Sequence, residues 1–279
     1  METIQAVLMG FIQGLSEFLP ISSSAHIVFT SALYKIATGK EFTGTSGQEE
    51  IFFDIIIHLA TLLAVFIFFK KDIWAIISSF FRGLKTKKYD TDFKMGVYII
   101  IGTFISAPIA FLFKDFAHDL VNNPKIVCIL LVITGFILFF SEKSKDCGKS
   151  LTLKNSVFIG IAQGLAIFPG LSRSGLTIAT GLFQGIDRVR SARYSFLLSI
   201  PIIIAASTLY PLIELDLTEI PHFNWKAIIL GAVVSFITGY FCIKYFMQFL
   251  AKSTLKSFAY YCWVVGVLMF VLFQYARHL

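Results

Sequence analysis

Charged residues are scarce in this sequence. They make up 15% of its 279 residues, whereas soluble domains have about 25%. The first three positions carry no basic residue, so we expect no cleaved signal peptide. Cysteine is also scarce, and its spacing shows no metal or redox pattern; the four residues are Cys128, Cys147, Cys242 and Cys262. Three of them lie inside apolar runs, so we expect them to pack between helices. The low charge argues against a soluble domain.

Apolar residues are abundant instead. They make up 56% of the chain, and the mean hydropathy is +0.77. The net charge of +7 comes from basic residues that cluster in loops between apolar runs, a pattern typical of membrane orientation. We therefore predict an all-α, multi-pass membrane protein that contacts the lipid bilayer and binds no nucleic acid.

Six apolar runs come close to the length needed to cross a bilayer as a helix, which is about 20 residues. They lie at 51–69, 95–113, 124–141, 191–212, 225–247 and 256–276. A shorter amphipathic segment is expected at 72–84, between the first two runs.

Two related motifs interrupt the remaining apolar sequence. One runs from Gln13 to His26 and the other from Gln163 to Gly175, with Gln, Gly, Leu, Phe and two serines coinciding at an offset of 150. Short apolar segments flank each motif, at 2–19 and 24–37 and again at 153–168 and 175–185. Such pairs predict re-entrant helix hairpins, because irregular backbone at membrane depth must be buried in protein or reached by water.

The order of segments predicts a single membrane domain made of two repeats, about 1–142 and 150–279. Each repeat has one hairpin and three spans. Three is odd, so the second repeat enters the membrane in the opposite sense, and this is an inverted-topology repeat whose broken helices form a site near the midplane.

The basic residues predict the orientation. If the loop at 70–94 is inside, four inside segments hold 17 Lys and Arg against six outside, as the positive-inside rule requires. Both termini are then outside, and the first hairpin opens to the outer face.

Arg173 is the strongest functional signal. A guanidinium inside an apolar hairpin is costly and usually functional, and its planar fork suits phosphate oxygens. It follows Gly170 and lies at the start of a helix, where free N–H groups favour anions. The alternative is a structural pair with a buried acid. The neighbouring residues expected to bind the same anion are Ser172, Ser174 and Thr177.

Glu17 is the second signal. A carboxylate at this depth should be paired, protonated or bound to metal, and with a phosphate ligand it is expected to hold a divalent cation. Gln13, one helical turn earlier, is placed to add a neutral oxygen.

The first motif also supplies hydroxyls and an imidazole. Ser22, Ser23 and Ser24 can cap a helix, or one of them can act as a nucleophile with His26 as its base. His26 could also attack phosphorus itself or activate water. Asp54 and His58, one turn apart in the first span, either line the same cavity or hydrogen-bond between helices.

At these residues the chain resembles the undecaprenyl-diphosphate phosphatases associated with bacitracin resistance. The resemblance covers nearly the whole chain and rests on the stretches Glu17–Phe-Leu-Pro-Ile-Ser-Ser-Ser-Ala–His26 and Pro169–Gly-Leu-Ser-Arg-Ser-Gly-Leu–Thr177. It implies catalytic roles for Glu17, Ser23, His26 and Arg173, and a substrate-binding role for Gln13, Ser22, Ser24, Gly170, Ser172, Ser174 and Thr177.

The resemblance further implies hydrolysis of undecaprenyl diphosphate, with magnesium or calcium as cofactor, in a bacterial plasma membrane. A homodimer is expected from the resemblance alone. Gln13 stands where many members of the family have Glu, which removes one negative charge beside the expected metal. The other function that the pattern allows is a transporter or flippase of polyprenyl phosphate, since inverted repeats with broken helices are also a transporter architecture.

Overall fold

The computed structural model describes residues 1–37, 47–144, 148–215, 218 and 220–275. Across these residues the chain is helical apart from turns and bends. The helices are α1 Thr3–Ser16, α2 Ser23–Ala37, α3 Gln48–Phe68, α4 Lys70–Thr86, α5 Thr91–Val121, α6 Pro124–Ser141, α7 Leu153–Leu165, α8 Arg173–Phe183, α9 Arg188–Glu214, α10 Trp225–Leu250 and α11 Lys256–Tyr275, with a short 3₁₀ turn at Ile220–His222.

Six of these helices are long and apolar enough to cross a membrane, namely α3, α5, α6, α9, α10 and α11. They correspond to the six predicted spans, so the prediction of an all-α, multi-pass membrane protein is confirmed. The predicted amphipathic segment is α4. The cysteines Cys128, Cys242 and Cys262 are free and buried, as expected for packing residues, while Cys147 lies outside the described residues.

The short helices pack against spans from the other half of the sequence. α1 lies along α10, where Gly10 meets the backbone of Gly231 and Gly14 meets the carbonyl of Ser235. α7 lies along α5 in the same way. A β-carbon on Gly160 would be 2.7 Å from the Gly102 carbonyl oxygen, and one on Gly164 would be 3.0 Å from that of Ser106. Small residues at such crossings let helix backbones approach closely.

The centre of the molecule is filled by side chains from both halves. Phe18, directly after Glu17, is fully buried and meets Phe196 of α9 edge-on, with ring centroids 5.4 Å apart. Phe69 and Phe246 also contact Phe196, which joins α3 and α10 to the same cluster. The residues that follow α1 are therefore held by packing from several helices.

Gly160 tests the close α7–α5 contact. We expect Gly160→Ala to lower the midpoint of thermal unfolding in detergent, because the added methyl group meets backbone that cannot rotate away, and overpacking costs about 1–3 kcal/mol. The gain in helix propensity, about 1 kcal/mol, offsets only part of this. Gly47→Ala is the control, since a β-carbon there has no atom within 4 Å. An unchanged midpoint in Gly160→Ala would contradict the contact.

Candidate active site

The first bend lies between α1 and α2 and is fixed by its own hydroxyls. The Ser16 hydroxyl donates to the Ile12 carbonyl (2.6 Å), and the chain then leaves the helix at Glu17. Ser22 has a positive φ of 67°, and its hydroxyl oxygen accepts the Ala25 N–H at 3.3 Å. Ser22 thus caps α2, as the capping alternative predicts, and Ser23 at the start of that helix is left to contact other groups.

The second bend, between α7 and α8, needs glycine at position 170. Gly170 has a φ of 102°, and a β-carbon there would be 2.5 Å from the carbonyl oxygen of Val127. The Thr134 hydroxyl of α6 donates to the Gly170 carbonyl (3.0 Å) and accepts the Ser172 N–H (3.2 Å). Ser172 in turn caps α8 through the Gly175 N–H (3.1 Å). The helix therefore begins at Arg173, two residues earlier than predicted.

The two bends touch each other directly. The Ser174 hydroxyl donates to the Leu19 carbonyl at 2.9 Å, and the Gly170 N–H donates to the Ser24 hydroxyl at 3.5 Å. Residues about 150 positions apart are thereby joined by hydrogen bonds. The prediction that the two motifs form one cluster agrees with these contacts.

Glu17 is the centre of that cluster. Its Oε1 accepts from Nη2 of Arg173 at 2.5 Å. Its Oε2 accepts from the Ser23 hydroxyl at 2.8 Å and from Nε2 of Gln13 at 3.0 Å. The Glu17 side chain is 7% exposed and that of Arg173 is 16% exposed, so this is a largely buried ion pair. Arg173 pairs with a buried acid, as one alternative states, and also faces a cavity.

A cavity of about 170 Å³ opens beside the ion pair. Both bends line it, together with one side chain from α3. The lining residues are Glu17, Ser22, Ser23, Ser24, His58, Ala166, Ile167, Leu171, Ser172 and Arg173. Charged and hydroxyl groups from both motifs thus converge on one small space.

Five of the predicted site residues do not line this cavity. Gln13 is fully buried and contacts Glu17 from behind. The Thr177 hydroxyl bonds to the Arg173 carbonyl (2.7 Å) and to the Ser195 hydroxyl (2.6 Å). Gly170 and Ser174 make the contacts between the bends. Gln13, Thr177 and Gly170 each contact a residue that faces the cavity, and the Ser174 hydroxyl does so through the Ser172 hydroxyl at 3.2 Å.

His26 is the fifth. Its Nδ1 lies 2.8 Å from the Ser22 carbonyl oxygen, which can only accept, so this nitrogen carries the proton. Its Nε2 then accepts from the Tyr261 hydroxyl at 2.8 Å, and the two rings stack. Both ring nitrogens are therefore occupied, one by the first bend and the other by α11.

Sequence reasoning missed Thr134 and Tyr261, and left His58 undecided. Nε2 of His58 is 3.8 Å from Oε2 of Glu17, while Nδ1 donates to the Asp54 carbonyl at 2.7 Å. His58 therefore lines the cavity, which is one of the two alternatives. In the sequence, Thr134 was marked only by a hydroxyl inside an apolar span, and many spans contain such a residue.

The protein groups alone fit a divalent cation poorly. Magnesium and calcium take six or more oxygen ligands, but the cavity offers one carboxylate whose two oxygens already accept from Arg173, Ser23 and Gln13. Among the residues that the structure describes, no group of three His, Cys, Asp or Glu could hold a metal ion. Gln13 adds one buried amide oxygen, Oε1, without a hydrogen-bond partner. A cation would need further oxygens from a bound ligand.

The site can bind an anion and activate a hydroxyl. Arg173 supplies a fixed positive charge, and its Nη1 is buried without a hydrogen-bond partner in the described part of the chain. Ser23 donates its proton to a carboxylate, which is the geometry of an activated nucleophile. Fold and site together define a multi-pass membrane protein with a small cavity in which an arginine, a carboxylate and several hydroxyl groups from two bends converge.

Comparison with known proteins gives the family. A sequence model described as "Bacitracin resistance protein BacA" matches residues 6–268. The chain belongs to this family.

Curated relatives match over nearly their full length. A protein named undecaprenyl-diphosphatase from Halothermothrix orenii is 40% identical over 275 residues, covering 98% of both chains. One of the same name from Methanobrevibacter smithii is 38% identical over 285 residues, covering 97% of this chain and 98% of its own. Undecaprenyl-diphosphatase 2 of Halalkalibacterium halodurans is 36% identical over 282 residues, covering 99% and 98%.

Thr134 tests the second bend. Thr134→Val keeps the side-chain shape but leaves the Gly170 carbonyl and the Ser172 N–H unpaired, and each buried unpaired group costs about 1–3 kcal/mol. We expect faster hydrogen–deuterium exchange in the peptide covering 166–175. Thr134→Ser, which keeps the hydroxyl, is the control and should exchange like the unaltered protein. Equal exchange in both variants would show that Thr134 does not hold the bend.

Proposed function

We propose that this protein hydrolyses undecaprenyl diphosphate to undecaprenyl phosphate and inorganic phosphate, which recycles the lipid carrier of cell-wall synthesis. The family and the names of the relatives support this activity. The observation that carries it is the Ser23 hydroxyl, which donates to Glu17 beside Arg173 in the cavity. A protein that only binds or carries the lipid phosphate needs the positive charge of Arg173, but it does not need a hydroxyl that donates to a carboxylate.

Arg173 binds the terminal phosphate in this proposal. Nη2 stays on Glu17, while Nη1 faces a phosphate oxygen. The N–H groups at the start of α8 add partial positive charge. Fixed charge in a small cavity stabilises the additional charge that develops during phosphoryl transfer, which is often the largest catalytic effect.

Ser23 is the nucleophile that the geometry favours over His26 and water. Its oxygen attacks the terminal phosphorus, its proton passes to Glu17, and the bond from that phosphorus to the bridging oxygen breaks, releasing undecaprenyl phosphate. The proton then leaves Glu17 to solvent. Water next attacks the phosphoserine and gives a proton to Glu17, and Glu17 passes that proton to the departing Ser23 oxygen. This step releases inorganic phosphate and restores both Ser23 and the Glu17 carboxylate. One water is consumed overall.

His26 has a positioning role in this scheme. Its Nδ1–H holds the carbonyl of Ser22, the residue with positive φ, and its Nε2 is held by Tyr261. This arrangement fixes the bend that presents Ser23. In this scheme His26 acts on catalysis by holding Ser22 in place, and not by contacting the cavity, as the motif had suggested.

The arrangement of the two halves bears on how the lipid substrate reaches the cavity. We infer that the two halves are an inverted-topology repeat with re-entrant hairpins, because α1 meets α10 and α7 meets α5 in the same way. In each case two glycines four residues apart on the short helix lie against a glycine and a serine four residues apart on the span. The basic loops favour an orientation with both termini outside and the cavity open to the outer face. The polyprenyl tail stays in lipid while the diphosphate enters. A homodimer stays a prediction.

A divalent cation is proposed to bind together with the substrate. Magnesium usually uses one or two carboxylates plus phosphate oxygens, and Glu17, the carboxylate that lines the cavity, would be the protein's share. Such an ion would neutralise charge on the diphosphate.

Phosphate release from undecaprenyl diphosphate in detergent tests the activity. We expect Arg173→Ala to lower kcat/KM about a hundredfold, roughly 3 kcal/mol of transition-state stabilisation, and Ser23→Ala to lose at least as much. Arg173→Lys keeps the positive charge but not the planar guanidinium. It checks that the loss of activity in Arg173→Ala is not caused by unfolding. Arg190→Ala and Ser78→Ala, at exposed positions, are matched controls. No release by folded, unaltered protein would favour the lipid-phosphate transporter instead.

Titration calorimetry tests the cation proposal. We expect no saturable binding of magnesium or calcium to the protein alone, and clear binding once a methylene-bridged, non-hydrolysable analogue of the diphosphate is present. Gln13→Glu should gain binding without the analogue, because two adjacent carboxylates require a cation or a shared proton. Saturable binding by the unaltered protein alone would mean that Glu17 and its neighbours form a complete site.

A further inference from the structure

α4 exposes a continuous apolar stripe. Trp74 is 73% exposed, Ile77 45%, Phe81 67% and Leu84 59%. These residues follow one another at spacings of three and four, so they lie on one face of the helix. The proposed hydrolase activity makes no use of them.

The opposite face of α4 is packed and cannot turn the stripe inward. Ile76 lies against Gly96 of α5, and Phe80 stacks on Phe93 with ring centroids 5.4 Å apart. Asp72 at the start of α4 pairs with Arg193 of α9. The helix is therefore fixed with Trp74 and Phe81 facing away from the protein.

Asp90 closes the turn between α4 and α5. It accepts from Ser79 and Arg82 of α4 and from the Phe93 N–H of α5. The Ser79 hydroxyl and then the Phe93 N–H lower the pKa of Asp90 to about 2. Its carboxylate is thus ionised, and the hairpin is capped, throughout the neutral pH range.

The location of α4 indicates what covers the stripe. The 17-residue helix α4 begins directly after the membrane span α3. A four-residue turn then connects α4 to the next span, α5. α4 must therefore lie at the membrane boundary where α3 ends and α5 begins. An amphipathic helix at that level places its apolar face at the junction of headgroups and acyl chains.

Charge decides between lipid and a second copy of the chain. Exposed lysines occur at both ends of the helix: Lys70, Lys71, Lys85, Lys87 and Lys88. The acids Asp72 and Asp90 already pair with Arg193 and Arg82. A two-fold contact through this face would bring like charges together, whereas anionic headgroups attract them.

We propose that α4 is an interfacial anchor whose Trp74–Leu84 stripe enters the lipid boundary and whose lysines recruit anionic phospholipid. This inference is independent of the proposed function, because it rests on a surface away from the cavity. It predicts that anionic lipid is enriched around this end of the protein.

Lipid quenching of Trp74 tests the location of the stripe. Protein in phosphatidylcholine vesicles is compared with the Trp74→Phe variant, and the difference in emission isolates Trp74. We expect that difference signal to be quenched at least twofold by lipids brominated near the headgroup and little by aqueous iodide. Strong iodide quenching without lipid quenching would overturn the proposal. So would protection from both quenchers together with crosslinking of Trp74→Cys between copies.

Lipid selection tests the lysines. In vesicles of phosphatidylcholine and phosphatidylglycerol, energy transfer from Trp74 to a labelled phosphatidylglycerol should exceed transfer to labelled phosphatidylcholine severalfold, and should fall at high salt. Replacing the five lysines with Gln should remove the difference. Replacing Lys114, Lys125 and Lys226 with Gln is the control and should not. Equal transfer to both lipids in the unaltered protein would exclude anionic selection.

Discussion

The ion pair between Glu17 and Arg173 holds the rest of the site in place. Its partners are 156 residues apart and belong to different bends, so it forms only when both halves have folded against each other. Two charges leave water here, and removing one partner from such a pair costs about 3–5 kcal/mol, because the other is left buried and uncompensated. Glu17 meets this demand with three donors, and Phe18 beside it is fixed by packing. The pair therefore fixes the two bends relative to each other.

Hydroxyl groups satisfy the backbone of both bends, which explains their density. Irregular chain that is shielded from water must find its hydrogen bonds within the protein. Ser22 and Ser172 cap the helices that follow them, and Thr134 accepts and donates across the second bend. Ser174 and Ser24 then connect one bend to the other. Most of these hydroxyls therefore bond to backbone or to the other bend. Ser23 differs, because its hydroxyl donates to the Glu17 carboxylate beside Arg173.

The sequence alone predicted the helices and the polar residues that gather at the centre. Apolar length and charge located six spans, and rare polar groups at membrane depth located Glu17 and Arg173. Three things depended on tertiary contacts that no local pattern records. Thr134 resembles any hydroxyl in a span until Gly170 lies against it. His58 faces the cavity because α3 passes beside Glu17. His26 bonds to Tyr261, 235 positions away, although its motif suggested a place in the cavity with Ser23.

The charge of the cavity determines how the site can receive a diphosphate. Glu17 and Arg173 carry opposite charges, and Gln13 adds none. Each buried charge compensates the other, yet the cavity has little attraction for a diphosphate beyond the unoccupied Nη1 of Arg173 and the start of α8. Binding must therefore bring compensation, either as a proton on Glu17 or as a cation on the diphosphate. In both cases the residue at position 13 sets the balance, because an amide donor stabilises the Glu17 carboxylate that a second acid would oppose.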